Sequence, residues 1–94
     1  MKLTYHAKQR MHLRAITVAE IKNTIEHGRV IKEQADGRIV LAHNNVRIVI
    51  ALNGNHVTVI TVIPTKAFEK EAKRYAKQHH MSLRQAMVSL KQGA

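Results

Sequence analysis

His6, Arg10 and Arg14 fall at i, i+4 and i+8 of a stretch that reads as a helix, which places one imidazole and two guanidiniums in a single polar stripe. That set of groups suits cleavage of a phosphodiester without a metal. Such a reaction needs a proton acceptor for a ribose 2′-hydroxyl, a proton donor for the leaving 5′-oxygen, and cations for the charge that builds on phosphorus. Histidine titrates near neutrality and can serve as general acid or base, whereas arginine stays charged and can grip two phosphate oxygens at once. A second set of cations points the same way. Lys66, Lys70, Lys73 and Lys77 recur at i, i+4, i+7 and i+11, a basic stripe along one helix face and candidate RNA contacts. Arg47 is a charged residue inside an apolar strand and should face away from the helices, where it could line the same surface. His43 and His56, at strand ends, could supply a second imidazole.

Composition frames these candidates. The chain has 94 residues with 16 Lys and Arg against 6 Asp and Glu, for a net charge of +10. The cations crowd the two ends: residues 1–14 carry Lys2, Lys8, Arg10 and Arg14 and no acid, and residues 66–94 carry seven basic residues against Glu69 and Glu71. The middle is nearly neutral. A polyanion is the partner this distribution suits, through Coulomb attraction and counterion release, and an acidic inhibitor protein would use the same charges. Two-metal nuclease chemistry needs clustered carboxylates, which six scattered acids do not offer. The four Gly are isolated, so no phosphate loop occurs, and only His is plentiful among zinc ligands. Neither a metal nor a cofactor is expected. With three aromatics, Tyr5, Phe68 and Tyr75, the stacking platform of single-strand readers is missing. No cysteine is present, no apolar run could span a bilayer, and the start lacks the apolar core of a signal peptide, so a cytoplasmic location is the expectation.

The elements that would position these groups follow from periodicity. Residues 4–14 read as a helix with Ala7, Met11, Tyr5 and Leu3 toward a core, and Thr17 to Glu20 as the capping box of a second helix that stops at Gly28. Residues 29–34, 38–43, 46–52 and 57–63 then read as four strands with tight turns at Asp36-Gly37, Asn44-Asn45 and Asn53-Gly54. Val57, Val59, Thr61 and Ile63 share one phase of the last strand, and Pro64 ends it. Residues 66–79 return to helix on a stripe of Phe68, Ala72, Tyr75 and Ala76, and Ser82 to Gln85 is a second capping box. The expected fold is one α+β domain: two N-terminal helices, a four-stranded antiparallel meander, and one or two C-terminal helices. Residues 1–64 form its core and 65–94 a basic helical tail. The helices cover one sheet face, leaving the other open or covered only by the tail.

The stretch from Tyr5 to Thr17 (Tyr-His-Ala-Lys-Gln-Arg-Met-His-Leu-Arg-Ala-Ile-Thr) resembles the opening of a bacterial family of unknown-function domains, which begins His-Ala, two variable residues, Arg-Met, then Arg and a capped second helix. The Asp36-Gly37 turn, the hairpin order and the strand ending Ile60-Thr61-Val62 also match, so the resemblance covers about residues 3–64. Members look like the barnase–EndoU–colicin–RelE ribonuclease superfamily, whose exposed sheet face binds and cuts RNA, and they occur as toxin modules. The resemblance implies RNA as substrate and a cognate acidic antitoxin or immunity protein as partner. It implies His6, Arg10, Arg14 and the last-strand Thr61 as catalytic residues. The aromatic usual after the terminal Thr-Val is Ile63 here. A different likeness lies in the tail, where residues 72–90 resemble a helix-turn-helix that would offer Arg84 and Gln85 to base edges in a DNA-binding regulator. A third reading takes the chain as a non-catalytic basic module that docks a partner protein.

Overall fold

The computed structural model describes residues 1–93. A short strand β1 (Lys2–Leu3) leads into helices α1 (Tyr5–Arg14) and α2 (Val18–His27). Strands β2 (Arg29–Glu33), β3 (Ile39–His43), β4 (Val46–Asn53) and β5 (His56–Pro64) follow, and helices α3 (Lys66–His79) and α4 (Leu83–Lys91) end the chain. Local chemistry sets these limits. Thr4 caps α1 by accepting from the Ala7 amide at 3.0 Å, and α1 stops at Ala15 in a left-handed conformation. The reciprocal boxes of Thr17 with Glu20 and of Ser82 with Gln85 open α2 and α4 as the spacing predicts. Gly28 lets the end of α2 pass close to β3: a Cβ there would meet the Thr24 carbonyl oxygen at 2.2 Å and that of Ala42 at 3.2 Å.

The sheet has five strands in the order β1-β5-β4-β3-β2. The meander from β2 to β5 is antiparallel as expected, but β1 adds a fifth strand, parallel to β5, pairing Lys2 with Thr58 and Leu3 with Val59. Two residues carry no readable period, and their partners lie more than 50 positions away, so this strand is invisible to local patterning. Tyr5 departs from expectation too. It is 79% exposed, because the first residue of α1 points away from the core that Ala7 and Leu3 join.

One core lies between α1 and α2 and the sheet: Ala7, Ile16 and Ile21 meet Leu41, Val46, Ile48, Ile50, Val59 and Val62. Along β5 the alternation breaks. The register against β4 skips Ile60, so Val59 and Val62 both face this core while Thr61, opposite Val49, and Ile63, opposite Arg47, turn to the other face. A strict two-residue period puts Thr61 with Val59; the bulge separates them. The other face carries half-exposed Val40, Ala42, Ala51, Thr58, Thr61 and Ile63.

α3 and α4 do not lie across that face. They form a hairpin with its own small core of Phe68, Ala72, Ala86 and Met87, against which Ala15 packs, and α4 leans on α1. Two side chains fasten it: Arg84 Nε donates to the His12 carbonyl at 2.8 Å, and Lys91 Nζ donates to the Ala15 carbonyl and to Glu20 Oε1, the latter at 3.0 Å. Among the described residues no helix is long and apolar enough to cross a membrane.

Candidate functional site

The last turn of α1, the outer face of β4 and the first half of α3 meet beyond the C-terminal end of β5. β1 covers only the first part of the β5 edge, so the carbonyls further along need other donors. The Thr4 hydroxyl donates to the Ile60 carbonyl at 2.9 Å, and Arg14 Nη1 donates to that of Val62 at 2.7 Å. Arg47 emerges between buried Val46 and Ile48, and its Nε and Nη2 both donate to the Pro64 carbonyl, at 3.2 and 2.9 Å. Thr65 caps α3, and the next turns present Lys66, Glu69, Lys70 and Lys73, which with Arg47 line an open cleft of about 350 Å³.

Electrostatics ties Arg14 to this cleft. Burial, and after it the neighbouring charge of Arg10, lowers the Arg14 pKa; Glu69 opposes that shift and Arg47 adds to it. Glu69 is the acid among these cations. A hydrogen bond from Lys73, 3.0 Å away, holds its carboxyl below the ordinary range against a small opposing effect of burial, and the charges of Lys73, Arg14 and Arg47 add to the lowering. It is therefore a carboxylate at neutral pH. One negative charge among Arg14, Arg47, Lys66, Lys70 and Lys73 leaves the group strongly cationic, and both arginines keep guanidinium N–H groups beyond those given to backbone carbonyls.

The other residues named from the sequence sit around this centre. Arg10 Nε approaches His6 Nε2 at 3.4 Å, so the first two members of the stripe are in contact on the exposed face of α1. His6 stands two turns, about 12 Å along the axis, from Arg14. Thr61 is on the open face, two pairs along from the Arg47–Ile63 pair. Lys77 is exposed and continues the α3 stripe a turn beyond Lys73, outside the cleft. Arg84 and Gln85 are exposed at the start of α4, where Arg84 Nε donates to the His12 carbonyl and Gln85 Oε1 accepts from the Ser82 amide at 3.2 Å. Glu69 was not among the expected residues. Its position three after Lys66 and four before Lys73, inside the lysine stripe, is the signal that places it there.

Among known proteins, a family model described as a domain of unknown function, DUF4258, matches residues 3–64. No curated protein and no solved structure matches the chain.

Proposed function

The chain belongs to the DUF4258 family, a domain of unknown function, and from that premise we propose that it grips RNA at the arginine and lysine cleft and cuts it without a metal. The observation that carries this reading is the convergence of Arg14, Arg47, Lys66, Lys70 and Lys73 from three separate elements, with Arg10 and His6 next along α1. The cations of the cleft hold successive phosphates of the strand. Arg10 takes the neighbouring phosphate, at which bond exchange occurs. The Nε2 lone pair that Arg10 occupies in the free chain becomes available when Arg10 turns to that phosphate, and it accepts the 2′-hydroxyl proton. The 2′-oxygen bonds to phosphorus, the bond to the 5′-oxygen breaks, and that oxygen takes a proton from water, leaving a 2′,3′-cyclic phosphate. Thr61 and Ile63 lie under the path of the strand across the open face. An acidic antitoxin or immunity protein would neutralise the chain by covering the same cations.

The test is incubation of total RNA with the chain in EDTA. Cyclic-phosphate ends should appear, and His6→Ala should lower the rate by ~10²-fold or more, the usual worth of a positioned acid or base. Full cleavage by His6→Ala would remove this mechanism.

A further inference from the structure

A second cleft, of about 240 Å³, opens at the same end of the sheet, and the cleavage steps proposed above do not use it. His27, at the end of α2, and His43, at the end of β3, bring their rings to 5.9 Å with 41° between the planes. Gly28 makes this approach feasible, since any side chain there would collide with the Thr24 and Ala42 carbonyls. Arg29 opens β2 on the outer side of the cleft, Ala42 lines it, and Asn44 in the following turn adds a carboxamide. The register runs Arg29 to Ala42 to Arg47 across neighbouring strands, so the two arginines share a sheet face, separated by one alanine and about 10 Å. Thr65 also lines this cleft, and the next residue, Lys66, lines the cationic one. The two clefts are therefore neighbours on one basic band.

The chemistry of the lining is that of base recognition. Imidazole rings offer a flat stacking surface, a carboxamide pairs donor and acceptor with a base edge, and a guanidinium suits phosphate. Among the described residues no three His, Asp or Glu side chains gather to hold a metal, so the two imidazoles lack the further ligands a cation would need.

We propose that the His27–Arg29–His43–Asn44 cleft binds one unpaired nucleotide of an RNA strand, with its base against the imidazoles and its phosphate at Arg29. In taking the ligand from RNA this rests on the reading above, and it makes that substrate single-stranded, because a base held in a duplex cannot enter so small a cleft. The histidines also supply the stacking surface that three aromatics could not.

The experiment titrates 5′-AMP and, separately, ribose 5-phosphate into the intact chain while the imidazole C–H resonances are followed by NMR. AMP should move the His27 and His43 signals saturably, ribose 5-phosphate should need at least ~10-fold more ligand, and Arg29→Gln should weaken AMP at least ~5-fold. Arg29 is exposed, so this variant tests the ligand contact without disturbing the core. Silent His27 and His43 signals, equal response to both ligands, or unchanged AMP binding by Arg29→Gln would each overturn the proposal. AMP binding in the cleft by a chain that leaves total RNA intact would sink the cleavage reading and keep this one; cleavage with silent His27 and His43 signals would do the reverse.

Discussion

Glu69 decides how strongly the cationic cleft attracts an anion, because its carboxylate already sits among the charges that a phosphate would engage. Removing that charge while keeping the shape should favour RNA: Glu69→Gln is expected to tighten binding of a short RNA by ~2- to 10-fold at low salt, a gain that shrinks as salt screens it. Fluorescence anisotropy against salt concentration checks this, and weaker binding by the variant would show that Glu69 works mainly by placing Lys73. The sign of its pH effect follows from the lowered pKa. Stability contributed by the ionised carboxylate is in full above the ordinary carboxylate value and is lost as pH falls through the lower folded value. The carboxylate thus remains through the neutral and mildly acidic range. His6 differs from it in being exposed and touching only Arg10 among the groups of the site, so substitution there leaves the core undisturbed.

At the level of elements, the legible parts were those with a local cause. The capping boxes of α2 and α4, the stop at Gly28, the antiparallel order of β2 to β5 and the apolar stripe of α3 all follow from neighbours within four or five residues. The illegible parts depend on distant partners. β1 exists because Lys2 and Leu3 find β5, and the placing of Thr61 on the open face depends on Ile60 being passed over in the pairing with β4. The stripe of His6, Arg10 and Arg14 was visible as spacing, but the turn of Arg14 toward the Val62 carbonyl was not, since it answers an edge that only the assembled sheet exposes. Gly28 connects the two kinds of information: it reads as a helix stop, where a Cβ would meet the local Thr24 carbonyl, and it also lets α2 end against β3, where that Cβ would meet the Ala42 carbonyl oxygen at 3.2 Å, a partner 14 positions on. Gly28→Ala should therefore destabilise the chain by ~1–3 kcal/mol, as forced overpacking does, and chemical denaturation followed by circular dichroism would measure it. A wild-type midpoint would mean that the end of α2 shifts freely.

Across the whole molecule, the cations brought to one end of the sheet make a quantitative statement about salt. If Arg14, Arg47, Lys66, Lys70 and Lys73 each engage one phosphate of a single strand, the logarithm of the binding constant should fall with the logarithm of salt concentration at a slope of about −3.5. Replacing Lys70 with Gln should reduce the steepness by ~0.7. A slope near zero would show that the band does not track a phosphate backbone. The molecule measures 45 × 23 × 21 Å, and its length comes from setting the α3–α4 hairpin beside the sandwich of α1, α2 and sheet rather than on top of it. The position of Arg14 in that architecture has a practical result. Its guanidinium closes an otherwise bare stretch of backbone as well as facing the cationic cleft, so under the proposed reaction a genetic screen would score every replacement there as harmful without telling a lost phosphate contact from a broken scaffold. If the chain cuts RNA as proposed, an inactive but intact form, of the kind needed to trap a bound strand or to raise an inhibitor, is better built at His6.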